Sequence, residues 1–450
     1  MDRIEQKICD IIDSKKDEII AFGRDIFCHA ELGYKEKRTS GKFVEEMEKL
    51  GMSPETGYAI TGVKSYLKPK GTEGPTLAVI GEMDALPIPN HPDSWSETGA
   101  AHCCGHNAQL TGVVGAAMAL ADPEVAAAMG GNLCFMAVPA EEYVDVAYRT
   151  GLMKEGKIRY GGGKCELIRV GAFDDIDIAM GHHTFTNGDF GIYNSSSNGF
   201  VNKTVTFKGR AAHAAGSPNE GIDALNAATA AMVNIALQQE SFRDEDTVRV
   251  HGFISAGGTA VNVIADNVTM EYSVRGKTAE AFKDASLKVD RSLKAAAMAT
   301  GCGVTIETLP GYMPGVSNPH EEVLDSVLKD LTDDKYNKRQ DMGAGFHMTG
   351  SDDFGDVATL MPLIHFYTGG YTGSLHNPDI RVTDEYLAYV VTAKIFALTA
   401  YRLMKDGAAK AKENIADYKP NMTKEEYLAF MESMLTTEVV DPTPLPIVGK

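Results

Sequence analysis

Positive charge is scarce in this chain. Its 43 Lys and Arg face 62 Asp and Glu, a net charge of −19, and the basic residues form no cluster, so nucleic acid and anionic membrane surfaces are disfavoured as partners by repulsion. A long apolar run is missing as well. The start, Met1-Asp2-Arg3-Ile4-Glu5-Gln6-Lys7, places charges where a secretion signal needs hydrophobic residues, and no later segment reads as apolar for long enough to span a bilayer. The expectation is a cytoplasmic protein with no membrane partner. Cysteine is sparse, seven residues in an odd and scattered set. That fits no disulfide framework and leaves buried thiols with candidate metal ligands among them. Only 23% of residues are charged, which argues against disorder, and 450 residues exceed one small core, so two or three domains are expected. A small-molecule or protein partner remains.

What the chain does contain is concentrated chemistry. His102-Cys103-Cys104-Gly105-His106-Asn107 packs two thiols and two imidazoles into five residues ahead of a helical segment from Leu110 to Ala121. Gly105 lets the backbone fold tightly enough for Cys104 and His106 to converge on one point, and a thiolate beside an imidazole suits zinc or a similar divalent ion. The same residues also read as a buried cysteine pair next to a helix N-terminus capped by Asn107.

Context favours the metal. Thr76–Gly81 is a continuous apolar run of the kind buried in a parallel sheet, and it ends in Glu82-Met83-Asp84. Asn132–Val138 is another such strand and delivers Glu141 and Glu142; a third, Ile176–Gly181, ends in His182-His183. Carboxylates at the C-terminal ends of such strands lie where open α/β sheets place their active sites, so Glu82 and Asp84 are candidates to bind or orient. A lone Glu-Glu pair is ordinarily a solvated loop. At a strand end, though, one carboxylate can hold a metal while the other takes a proton from water acidified by it. Later, the apolar strand Met361–Tyr367 leads through a glycine-rich loop to His376, and a helix follows from Glu385 to Met404.

Between these halves the pattern changes to Lys203–Lys208, Ala224–Gln239, Thr247–Ile254, Val268–Arg275, Ala279–Met298 and Val304–Glu307. The order is β-α-β-β-α-β, a ferredoxin-like unit inserted into the first. The expected class is α/β: a mostly parallel-sheet catalytic domain with helices on both faces, over 1–197 and 313–450, plus an inserted α+β lid or dimerisation domain over 198–312. The tail with Pro442, Pro444 and Pro446 is uninformative.

Taken in order, His29–Gly33, Glu82–Pro87, His102–Asn107, Pro139–Glu142, Gly181–His183 and Leu375–Pro378 resemble the M20 metallopeptidases. The branch most resembled comprises the amidohydrolases of N-acyl amino acids, indole-acetyl amino acids, hippurate and p-aminobenzoyl-glutamate. The resemblance implies two divalent ions, Zn²⁺ or Mn²⁺, bridged by Cys104 and further held by His106, Glu142, His183 and His376, with Glu141 as general base. His183 is preferred over His182 because the family has an apolar residue between its glycine and its ligand histidine. Asp84 and Asn107 would lie behind the ligands. In the insertion, Lys208–Ala215 matches a turn whose histidine, here His213, reaches into a partner subunit's site. Asn262 and Arg275 match positions that hold the substrate's carboxylate, with domain closure expected to bring both onto it.

The implied activity is hydrolysis of the amide bond of N-acyl, N-aroyl or aminoacyl amino acids in a homodimer, or a higher oligomer built from it. A dipeptidase or aminopeptidase is the alternative within the family, and a non-catalytic metal- or ligand-binding relative the alternative outside catalysis. Where the branch usually reads His-Ala-Cys-Gly-His-Asp-x-His, this chain has Cys103, Asn107 and Gln109, and Glu82 stands in place of an aspartate. The retained pair Glu141-Glu142 argues against a pure binding protein, which needs no spare carboxylate.

Overall fold

A computed structural model describes residues 1–441; the three tail prolines lie outside them. The chain divides into two compact units. One is Met1–Ser196 with Gly315–His347 and Asp353–Lys424; the other is Ser197–Pro314 with Met348–Asp352 and the segment from Glu425 onward. That last segment had been expected in the catalytic domain. It joins the second unit because Thr436–Val440 pairs antiparallel with Gly303–Pro310, Val440 opposite Val304, covering a strand edge that would otherwise be open.

The first unit is built on a seven-stranded sheet in the order Glu55–Tyr58, Gly62–Tyr66, Asn132–Val138, Thr76–Glu82, Ile178–Thr184, Leu363–Thr368, Phe190–Ile192. Its four central strands are parallel, and antiparallel strands flank them on both sides. The apolar runs read as strands buried on both faces are those central four, and Asn132–Val138 is buried at every residue. The antiparallel flanks are short and were not anticipated, because three to five residues carry too little period to register. The chain opens with two helices, Arg3–Ser14 and Lys16–Cys28, meeting at Lys15.

The final core helix corrects the expectation about membranes. The span Tyr386–Asp417, whose backbone leaves helical geometry at Lys405–Ala408, is long and apolar enough to cross a bilayer by length and composition, and 94% of its apolar window is buried inside the protein. Lys394 and Arg402 interrupt the run in sequence. In the fold they are paired with Asp13 and Glu5, both on the first helix, so the apolar stretch around them packs as core.

The second unit is an antiparallel sheet in the order Thr436–Val440, Gly303–Pro310, Gly199–Lys208, Asn267–Gly276, Arg249–Gly257. Helices Ala224–Ala236 and Ala279–Thr300 pack on it and on each other. Alternation along Gly199–Lys208 and Asn267–Gly276 turns Val201, Val205, Phe207, Val268, Met270 and Val274 into one core.

Candidate metal centre and active site

The organising side chain of the first unit is Asp84, fully buried just beyond the end of the Thr76–Glu82 strand. Its Oδ1 accepts from the Glu141 N–H at 3.1 Å and its Oδ2 from the Glu142 N–H at 2.9 Å. One carboxylate thus fixes the backbone of both glutamates. It also faces His106, whose Nδ1 lies 2.9 Å from the Asp84 carbonyl and 3.2 Å from Oδ1. Nδ1 is therefore the protonated nitrogen and Nε2 is left to act as a ligand. The turn before the glutamates is itself held open. Ala140 has φ +57°; its N–H donates to buried Glu36 at 2.8 Å and its carbonyl accepts from Arg149 and from the Gly163 N–H.

Gly105 has φ +86°, and a Cβ there would lie 2.2 Å from Thr184 Oγ1, so only glycine permits the approach of this turn to the neighbouring strand. The helix begins at His106 with Gly105 as its cap. Asn107 is not the cap, contrary to one reading of the sequence: its amide donates to Tyr389 Oη at 3.1 Å and its carbonyl accepts from Tyr371 Oη at 3.1 Å. Cys104 Sγ is 3.9 Å from His183 Nε2, and His183 Nδ1 donates to the Thr184 carbonyl at 2.7 Å. His182 instead lies on the other face of the strand, with Nε2 engaged by Thr368. His376, at φ +61° in its loop, is tied back by its N–H to the Cys103 carbonyl at 2.8 Å, and its Nε2 lies 3.2 Å from Glu142 Oε1.

Cys104, His106 and Glu142 offer ligand atoms all within 4.8 Å of one another, and so do Glu82, His106 and Glu141. Glu82, at the end of its strand, lies 3.1 Å from His106 Nε2 and accepts from Gln109 Nε2 at 2.7 Å. Its other oxygen pairs with Lys164, wholly buried and also paired with Asp353.

The electrostatics ask for a cation. Burial, then the charges of Glu82 and Glu142, push the Glu141 carboxyl well above the usual carboxylate range. Burial and the same acidic neighbourhood push the Cys104 thiol up too. Burial works against charge on His106, yet Glu82 and Asp84 hold its pKa up to about 10. His106 Nε2 and Glu142 Oε1 are buried without a well-directed hydrogen bond, although each faces other donor atoms. Excess buried negative charge with ligand atoms aimed inward is what divalent ions would relieve. The donor set of thiol, imidazole and carboxylate fits such ions.

The second unit carries the other expected residues, in two places. His213 and Asn262 are exposed and lie on paired turns: the Ala214 N–H donates to the Asn262 carbonyl and the Ile264 N–H to the Ala212 carbonyl, both at 3.0 Å. His213 Nδ1 accepts from the N–H groups of Ala215 and Gly216 at 3.2 and 2.9 Å, so its proton is on Nε2, facing outward as a donor. Arg275 is elsewhere. It lies near the far end of the strand Asn267–Gly276, donates to Ser351 Oγ at 3.0 Å and stacks over Phe200. At about 3.3 Å per residue, Asn267 and Arg275 are on the order of 25 Å apart. The expectation that Asn262 and Arg275 close together on one carboxylate therefore does not hold within one chain.

Residues 196–300 match the family model described as the peptidase dimerisation domain of the M20 type. Over 430 residues the chain is 28% identical to the Xaa-Arg dipeptidase of Mus musculus, covering 89% of each chain, and 26% identical to the IAA-amino acid hydrolase ILR1-like 4 of Arabidopsis thaliana, again covering 89% of each. The chain is a hydrolase of the amidohydrolase or peptidase kind that carries an M20 dimerisation domain. Its fold also matches that of the YXEP protein of Bacillus subtilis, a dinuclear metal-binding peptidase of the M20 family, with a TM-score of 0.62 at 23% identity, over 87% of this chain and 99% of that one. In this hydrolase the residues that sequence reasoning missed are the ones behind the site. Lys164, Asp353, Glu36 and Arg149 are all buried, yet a single Lys, Asp, Glu or Arg in sequence is indistinguishable from surface. The run Gly161-Gly162-Gly163 before Lys164 was the one available signal: a Cβ on Gly163 would overlap the Pro139 carbonyl.

Proposed function

We propose that this hydrolase cleaves the amide bond of N-acyl, N-aroyl or aminoacyl amino acids, with Glu141 as general base. The observation that carries the reading is the asymmetry of the two glutamates. Asp84 fixes both backbones, yet Glu142 faces His376 while Glu141 turns toward Glu82 and His106. A carboxylate held beside a ligand set, yet turned away from the second histidine, is placed to take a proton from water and return it to the departing nitrogen. Cys104, His106, Glu142, His183 and His376 would hold two divalent ions, Zn²⁺ or Mn²⁺. When bound, these supply Lewis-acid polarisation of the scissile carbonyl and a lowered pKa for water.

Asp84 and the Thr184 carbonyl keep the two imidazoles in the tautomer that presents Nε2. The names of the relatives share one chemistry, an amide to an amino acid, which supports that substrate class. His213, donating through Nε2, would stabilise the oxyanion in the site of a partner subunit, with Asn262 beside it; Arg275 would serve from the other chain of the dimer. The test is a panel of N-acyl amino acids, N-aroyl amino acids and dipeptides with added Zn²⁺ or Mn²⁺. Turnover confined to compounds with a free α-carboxylate next to the cleaved amide is expected. No hydrolysis of any of them by metal-loaded, folded protein would sink the reading.

A further inference from the structure

Glu82 stands out among the buried groups that the mechanism above leaves unused. We propose that it is a further ligand of the metal centre, sharing one ion with His106; this rests on the two-ion reading of the same site.

Two features of the geometry carry the inference. His106 Nδ1 is committed to Asp84, so Nε2 points its lone pair at Glu82 Oε2, 3.1 Å away, and this nitrogen is buried without a well-directed hydrogen bond. Two acceptors at that separation repel unless a positive charge, a proton or the metal ion that would displace it, lies between them. Ligand bonds of about 2.0–2.1 Å place neighbouring donor atoms on one ion roughly 3.0–3.4 Å apart. The pair Glu82 and His106 falls in that interval, as does the pair Glu142 and His376 at 3.2 Å.

The surroundings of Glu82 match those of a ligating carboxylate. Gln109 donates to Oε2 at 2.7 Å, which occupies one lone pair and leaves the other directed at His106. Lys164 takes Oε1, so the group is restricted to one-oxygen ligation, and Asp353 fixes Lys164 in turn. Ligating carboxylates are ordinarily hydrogen-bonded in this way on their outer side. A glutamate here reaches one methylene further toward His106 than an aspartate would, and Gln109 is placed to receive it.

The experiment uses Co²⁺ as probe on chelator-stripped, full-length protein: wild type, Glu82→Gln and Glu82→Asp. The aspartate variant keeps the counter-charge for Lys164 and withdraws the oxygen, so it guards against a folding failure of the amide. Read out are Co²⁺ per chain, the dissociation constant of each ion by competition with a chelating dye, and the visible spectrum of the bound Co²⁺. Expected is a loss of at least ~10-fold in affinity for one ion in both variants, the scale on which even outer partners of ligands act, with a changed spectrum and the second ion within about 2-fold of wild type. Wild-type affinities and an unchanged spectrum in folded variants overturn the proposal. If wild-type protein binds a single Co²⁺, the two-ion reading falls separately, and Glu82 stands or falls by whether Glu82→Gln weakens that one ion.

Discussion

The two units carry opposite imbalances. The first buries charge: Glu82, Asp84, Glu141 and Glu142 surround His106 out of solvent, with Lys164 beside them. The second exposes apolar surface. On the helix Ala224–Ala236 and just past its end, Leu225, Met232, Val233 and Leu237 fall on one side, with Leu237 71% exposed. Phe253 is exposed on the strand Arg249–Gly257, which among the described residues is the open edge of its sheet. A fold that tolerates buried like charge is incomplete without cations. An apolar helix face beside an unpaired strand edge is a surface of the kind that a second protein surface would cover. The two units thus differ in the kind of partner their surfaces would suit.

The sharpest way to break the first half of that comparison is to remove charge without removing ligands. Glu141→Gln should lower turnover at least ~10²-fold while metal content stays near wild type, because it deletes proton acceptance alone. Glu142→Gln should do the reverse and weaken metal retention. Exchange of the two phenotypes, read by steady-state kinetics and elemental analysis, would shift the assignment by one residue. Cys104→Ser comes next in size. If the thiolate bridges two ions, this variant should lose at least one of two per chain, and a single ion held equally well by both proteins defeats the bridging model.

The second half is tested by charging the exposed face. Val233→Glu with Leu237→Arg should weaken self-association by roughly 10- to 100-fold, from the loss of apolar burial at two sites. Sedimentation over a concentration series reads this, and a variant that associates like wild type would place the interface elsewhere. The same association tests His213 in trans. Mixed dimers of His213→Ala and Glu141→Gln chains should recover up to about half the sites, since one active site then holds both intact residues. Verified heterodimers without recovery would remove His213 from the partner's site.

The legibility of the sequence follows the same division between the units. Motifs that end apolar strands announce themselves, because the strand period and the abrupt change to ligand-type side chains are both local, and Cys104, His106, Glu141, Glu142 and His183 do converge on one region. The β-α-β-β-α-β order was legible for the same reason. What fixes those side chains was not. Asp353 reaches Lys164 across 189 positions, and Glu36 reaches the Ala140 N–H across 104, so neither contact leaves a trace in spacing. The strand Thr436–Val440 was missed because it adds to an edge made by residues more than a hundred positions earlier. The separation of Arg275 from Asn262 is invisible until the strand between them is seen to pair without interruption from Asn267 to Gly276.

The smallest expected effect probes a different charge in the first unit, one whose partners are already present. Glu5 is buried on the first helix, where its carboxylate meets Arg402 at 3.0 and 3.1 Å, Lys405 at 3.1 Å and the Asp2 N–H at 2.8 Å. Burial by itself would raise its pKa. Those three partners outweigh it, first among them Arg402, and lower the pKa from 4.5 to about 2. A carboxylate whose folded pKa is depressed adds stability that is fully present above the unfolded value and is lost as pH falls through the folded one. Glu5→Gln should therefore cost on the order of 1–2 kcal/mol at neutral pH, a figure reduced for solvent screening at the lysine end. The gap in melting temperature between variant and wild type should shrink as pH drops from 4.5 toward 2. A gap that stays constant across that range would mean Glu5 acts through packing, and that this ion pair, unlike the metal centre, is not where the first unit depends on charge.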